Sequence, residues 1–161
     1  MEKREALLGI AVGRKGSGKT YTTIEMFQSY LQAGRKILIL DVNNEFGNVK
    51  VDHKNPNFPN IKALHIDNVA RFVYHPTIEA RRISTMKPEG GVMNTKEIQE
   101  ALTKILATYK NGLLLIEDIN KFVSDSLPND LMGSIATQRH KSVDVIIHFQ
   151  SIGKAANPKL W

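Results

Sequence analysis

Residues Gly13-Arg14-Lys15-Gly16-Ser17-Gly18-Lys19-Thr20 match the pattern G-x-x-x-x-G-K-[ST] in full. Glycines at this spacing let the backbone turn with its N–H groups pointing inward, a geometry that suits phosphate oxygens. A helix starting near Lys19 adds the positive end of its dipole. Lys19 then reaches the β- and γ-phosphates, and the Thr20 hydroxyl ligates Mg²⁺. Gly13, Arg14, Lys15, Gly16, Ser17, Gly18, Lys19, Thr20 and the following Tyr21 form the expected binding segment for ATP, or a related triphosphate, with Mg²⁺. By chance this pattern arises on the order of once in a few hundred chains of this length.

Phosphate binding alone does not hydrolyse anything. Hydrolysis needs a placed metal and an activated water. Leu113-Leu114-Leu115-Ile116 is an apolar run that ends in Glu117-Asp118. In a parallel sheet the C-terminal strand ends face the ligand crevice. One carboxylate there can hold Mg²⁺ through water, and its neighbour can orient the attacking water. The usual order in a P-loop ATPase is Asp then Glu. Here it is reversed, so either Glu117 takes the metal position and Asp118 the base position, with the shorter Asp118 reaching the water less well, or the two acids share metal and water differently. The plainer alternative is that the pair merely starts the next turn.

The elements that must position these groups alternate along the chain. Strands are expected over Ala6–Val12, Lys36–Leu40 with Asp41 at the end, Ile61–Ile66, Leu113–Ile116 and Val143–Phe149. Helices are expected over Lys19–Ala33, Thr95–Tyr109 and Asn129–Arg139. The second of these has Ile98, Ala101, Leu102, Ile105 and Leu106 at helical spacing. Asn94 and Glu97 make a capping box before it. Asn43–Asn60 and Pro76–Gly91 read as long polar loops. Continuous apolar strands alternating with helices indicate a mainly parallel sheet covered on both faces, a three-layer α/β core.

The bulk properties bound the rest. The chain has 161 residues, which suits one domain over 1–161. It has no cysteine, which excludes disulfides and Cys-based metal sites. No apolar run nears the roughly 20 residues that span a bilayer, and the charged N-terminus lacks a signal-peptide core, so a cytoplasmic location is expected. His53, His65, His75, His140 and His148 have no metal-ligand spacing. The net charge of +6 favours polyanions such as nucleic acid, or serves solubility.

Three further segments narrow the reading. Ile37-Leu38-Ile39-Leu40-Asp41-Val42-Asn43-Asn44-Glu45-Phe46 places an Asp and a Glu just after a strand. Val143 to Phe149 ends at Gln150-Ser151, and Gln138-Arg139-His140-Lys141 stands just before it. With the phosphate loop and the acidic strand, these resemble the HerA/FtsK superfamily of DNA-pumping ATPases from about Leu7 to Ser151. Within it the chain looks most like viral DNA-packaging ATPases and Zot-like phage proteins. The resemblance implies a RecA-like (ASCE) core and a ring, a pentamer or hexamer, around double-stranded DNA, with a viral portal or capsid component as a further partner. It implies that Asp41 and Glu45 lie beside the nucleotide. It makes Gln150 the sensor of the γ-phosphate or attacking water, and Arg139 the finger that reaches the neighbouring subunit's γ-phosphate, with Lys141 as the backup. Each has a plain alternative: Asp41 as a turn cap, Gln150 as a partner of buried backbone groups, Arg139 as a solvated charge at a helix end. Lys50, His53, Lys54, Arg81, Arg82 and Lys87 are either DNA-phosphate contacts or surface charge. The family's full core has a strand after the sensor Gln, and Trp161 comes too early for it, so a shortened or minimal domain is expected.

Other functions compete. A small-molecule or nucleoside kinase shares the phosphate loop but needs an Arg-rich lid, for which only Arg81-Arg82 is available. A GTPase needs N-K-x-D, and Asn120-Lys121-Phe122-Val123 lacks the Asp. A Zot-like assembly protein uses the nucleotide site for phage extrusion, usually with a membrane segment.

Overall fold

The computed structural model describes residues 5–13, 19–47, 61–119 and 129–149, with 19–21, 129–132 and 139 described as backbone only. Strands β1 (Leu8–Val12), β2 (Lys36–Asp41), β3 (Lys62–Ala63), β4 (Ala80–Ser84), β5 (Gly112–Ile116) and β6 (Asp144–Phe149) form one sheet. Its order is β1-β6-β5-β2-β4-β3. Every pairing is parallel. Helices α1 (Lys19–Gln32), α2 (Val69–Tyr74), α3 (Thr95–Thr108) and α4 (Asn129–Thr137) cover it.

Strands β2, β5 and β6 are buried along their whole length. That is why they read as unbroken apolar runs rather than alternating ones. Their residues sort to two faces. Leu38, Leu40, Leu114, Ile116, Val145 and Ile147 pack with Phe72, Leu102 and Ile105 of α2 and α3. Ile37, Ile39, Leu113, Leu115 and Ile146 pack with Ile24 and Phe27 of α1. The result is the expected three-layer core.

Local chemistry sets the helix ends. Asn94 caps α3, accepting from Glu97 N while Glu97 reaches back to Asn94 N, so the capping box is present. After α3 the chain turns through Asn111 (φ 56) to Gly112. A Cβ at Gly112 would stand 2.2 Å from the Tyr109 hydroxyl and 2.5 Å from the Lys36 carbonyl. Only glycine lets β5 start against β2 there, with Tyr109 donating to Lys36 O at 2.9 Å.

Three expectations are corrected. Pro76–Gly91 is not all loop, because β4 lies inside it, between β2 and β3. Its two arginines hid the strand, and both are satisfied on the sheet. Arg81 pairs with Glu79 at 2.9 Å and donates to Ala63 O. Arg82 donates to Ile61 O and Asn44. Ile61–Ile66 holds only a two-residue strand, followed by a 3-10 turn over Ile66–Asn68 and the unforeseen α2. Finally, α4 stops at Thr137, and Gln138–Lys141 forms a 3-10 turn in place of its last helical residues.

Candidate active site

The C-terminal ends of the strands define one edge of the sheet. Gly13 still pairs with β6, its N–H donating to Phe149 O at 3.1 Å, so the phosphate segment starts at the end of β1. Helix α1 begins at Lys19, on the far side of that segment. The strand–loop–helix context required of a phosphate loop is therefore met on both flanks. Arg14, Lys15, Gly16, Ser17 and Gly18 lie outside the described residues, and Lys19, Thr20 and Tyr21 are described as backbone only.

Strand β6 lies between β1 and β5. The acidic end of β5 thus stands two strand spacings from the phosphate strand, roughly 10 Å. Gln150, which follows β6, lies outside the described residues.

Glu117 extends the β5–β2 pairing by one step, its N–H donating to Leu40 O at 3.3 Å. Its side chain is buried and hydrogen-bonds to Glu45 and Asp41. Burial, those two hydrogen bonds and the neighbouring negative charges push its carboxyl up to about 10. Glu117 therefore carries a proton at neutral pH, which is what lets carboxyl groups meet without repulsion. Asp41 is fully buried. Burial raises its carboxyl too, opposed by the bond to Glu117, the N–H of Glu45, the charge of Arg82 and the N–H of Phe46. The two backbone donors lie at 2.9 and 3.2 Å. Asp41 thus does cap the turn after β2, and the same cap brings Glu45 to Glu117. Phe46 locks that turn into the core, stacked on Phe27 at 6.2 Å.

Asp118 follows in the left-handed region, at φ 46. It is buried, and Asn43 Nδ2 donates to its Oδ2 at 2.9 Å. Asn43 was not among the sequence candidates. Neither was the buried hydrogen bond between His148 and Thr23, at 2.8 Å, which ties β6 to the second turn of α1. A histidine inside the apolar run Val145–Phe149 was the available signal for His148.

The site's fit to a cation can be tested on its own atoms. Glu117 Oε2 is buried and makes no hydrogen bond among the described residues. Once its proton is lost, this desolvated oxygen, at a strand end on the same edge of the sheet as the phosphate segment, suits a hydrated divalent ion. Among the described residues, no three His, Cys, Asp or Glu side chains are arranged to hold a metal unaided.

Arg139 and Lys141 are not brought to this cluster. Both sit in the 3-10 turn before β6, at the opposite edge of the sheet. The length of β6 separates the two edges by roughly 20 Å. Lys141 Nζ donates to Leu106 O at 2.6 Å and to Ala107 O, closing the C-terminus of α3. Of the basic residues read as DNA contacts, Lys50, His53 and Lys54 lie outside the described residues. Arg81 and Arg82 are engaged on the sheet, and Lys87 pairs with Glu97 at 2.9 Å.

A parallel sheet with one strand between the phosphate strand and the acidic strand is the RecA-like P-loop NTPase fold. The family model "Helicase HerA, central domain" matches residues 9–156. The chain belongs to that family. Similar solved structures include the genome packaging NTPase B204 from Sulfolobus turreted icosahedral virus 2, in complex with ATP-gammaS. It is 13% identical with a TM-score of 0.61, over 94% of this chain and 68% of that one. B204 from Sulfolobus turreted icosahedral virus, the DNA-packaging ATPase, is 14% identical with a TM-score of 0.59, over 96% and 70%. The N-terminal domain of zonular occludens toxin from Neisseria meningitidis is 16% identical over 98% and 70%, at a TM-score of 0.44. A comparison with curated protein sequences gives no match. Among the described residues no helix is long and apolar enough to cross a membrane.

Proposed function

We propose that this chain hydrolyses ATP between the Gly13–Thr20 segment and the end of β5, and uses the reaction to move or package double-stranded DNA as a ring. The carrying observation is the cluster of buried Glu117 and Asp41 with half-buried Glu45, at the end of the strand two places from the phosphate strand in a chain of the HerA family. The B204 structures, described as a genome packaging NTPase and a DNA-packaging ATPase, support the packaging role.

The roles follow from position. The backbone of Gly13 to Gly18 and the ammonium of Lys19 hold the β- and γ-phosphates. Thr20 and Glu117 would hold Mg²⁺, which supplies charge neutralisation on the phosphate oxygens when bound. Glu117 must lose its proton to do so. Asp118, held by Asn43, orients the attacking water, and Gln150 senses the γ-phosphate. Arg139 lies roughly a strand length from its own chain's phosphate segment. In a ring it faces the next subunit's phosphate instead, where its fixed charge and planar fork neutralise the transition state. The location is the cytoplasm, that of the host if the chain is viral.

The fate of the γ-phosphate separates this reading from a kinase. Incubation of the protein with Mg²⁺ and γ-labelled ATP, followed by thin-layer separation, should show the label as free phosphate. Label carried to an added nucleoside, with no free phosphate, would instead assign phosphoryl transfer to a small acceptor. The structure favours hydrolysis on one point: Arg81 and Arg82, the only lid candidates, are held on β4.

A further inference from the structure

We infer that Arg82 is a positioning residue for the acidic cluster, and that turnover depends on it although it lies on the strand beyond β2. This rests on the ATP-hydrolysis reading of the site.

Arg82 pairs in register with Ile39 of β2, and its side chain runs up to the strand end. Its Nε donates to Ile61 O at 3.2 Å. One guanidinium nitrogen donates to Asn44 Oδ1 at 2.7 Å and reaches Asp41 Oδ2 at 3.4 Å. The side chain is only 15% exposed and Asp41 is fully buried. Arg82 therefore ties three separate segments together: the end of β2, the turn after it and the entry to β3.

The turn is built around this guanidinium. Asn44 takes a left-handed backbone, φ 53, with its amide oxygen on Arg82. A Cβ at Gly47 would stand 2.3 Å from a guanidinium nitrogen, so a side chain there would displace Arg82 from its place under the turn. Asp41, anchored by Arg82, receives the N–H groups of Glu45 and Phe46. Asp41 and Glu45 are in turn the two side chains that hydrogen-bond Glu117. Arg82 thus fixes both groups that orient Glu117.

Charge points the same way. Acidic side chains crowded in a buried site repel one another unless a cation compensates them. A guanidinium is the suitable cation, because its planar fork can hold a carboxylate and an amide oxygen at once and it stays charged when buried. An ammonium on a flexible stem keeps the charge but not the fork. Loosening Arg82 leaves the phosphate segment untouched, since that segment lies on β1 and α1. The defect should therefore fall on kcat rather than on ATP binding.

The test uses Arg82→Met, Arg82→Lys and Asn44→Ala in the full chain, with two readouts. The first is steady-state hydrolysis. Arg82→Met should lower kcat about tenfold to a hundredfold, with KM for ATP within about threefold of wild type. Arg82→Lys should recover part of the loss. Asn44→Ala, which removes one acceptor of the guanidinium and leaves it Asp41 and Ile61 O, should cost about fivefold. The second readout is hydrogen exchange at the Glu45 and Phe46 amides without nucleotide. It should speed up in Arg82→Met and, less, in Asn44→Ala. Unchanged exchange in all three variants overturns the seating of the turn by Arg82. Faster exchange with unchanged kcat overturns the link to turnover. If the wild type releases no phosphate, the ATPase reading itself falls, and the exchange readout still decides whether Arg82 seats the turn.

Discussion

Glu117→Gln is expected to abolish most ATP turnover while making the nucleotide-free protein more stable. Hydrolysis should fall by about 10²- to 10³-fold, because the variant loses a group that would hold Mg²⁺ and with it charge stabilisation on the transferring phosphoryl oxygens. ATP binding should survive, because Gly13 to Lys19 are untouched. The stability change follows from the protonation of Glu117. Its carboxyl titrates near 4.5 when unfolded and is pushed up to about 10 in the fold. Between those values the folded state holds a proton that the unfolded state lacks, so stability falls as pH rises. At pH 7 the cost is roughly 3 kcal/mol, from the distance above 4.5. Glutamine carries no such cost and can still donate to Asp41. The variant should thus melt several degrees higher at pH 7, by more at pH 8.5 and by little at pH 5. Binding of ATP with Mg²⁺ should release about one proton per site in the wild type and none in the variant. Calorimetry in two buffers of different ionisation enthalpy measures this. A variant that melts lower at pH 8.5 than the wild type would contradict the buried, protonated Glu117.

Arg139→Ala is expected to lower turnover about 10³-fold with ATP affinity changed by no more than about threefold, the pattern of a lost arginine finger. Its backbone sits before β6, at the edge of the sheet away from Gly13. No side chain spans the roughly 20 Å to its own site. In the proposed ring the charge acts across a subunit boundary. A mixing experiment separates this from a structural defect. Arg139→Ala supplies an intact acidic cluster, and Glu117→Gln supplies an intact finger. Each is inactive alone. Mixed rings contain boundaries with both parts, so part of the activity should return. Full activity of Arg139→Ala, or no recovery on mixing assembled variants, would remove the finger assignment.

The two predictions rest on features of different legibility. Strands β2, β5 and β6 were readable because burial on both faces makes their residues uniformly apolar. Helix α3 was readable from its period and its capping box. Strand β4 was not, because Arg81 and Arg82 look like solvent residues until Glu79 just before the strand, Asp41 of β2 and Asn44 of the turn after it supply their partners. Helix α2 is six residues long, too short for a period to declare itself. In the site, Glu117 and Asp118 were readable from a local pattern of apolar strand then acid. The meeting of Glu117 with Asp41 and Glu45 depends on β2 lying beside β5, and strand order is not written in any local window. The same holds for Asn43 on Asp118 and for Arg82. The reversed order of the acids gains a physical sense from the fold. Glu117 turns into the cluster of buried carboxyls, while Asp118 takes a left-handed backbone and meets Asn43.

The central claim is that this site hydrolyses ATP in order to act on DNA. The direct measurement is the initial rate of phosphate release by the wild-type chain at saturating ATP and Mg²⁺, with and without double-stranded DNA, alongside the solution mass. The expected result is a ring-sized species whose rate rises several-fold with DNA and vanishes in Glu117→Gln. A monomer whose phosphate release is the same with and without DNA would contradict the account.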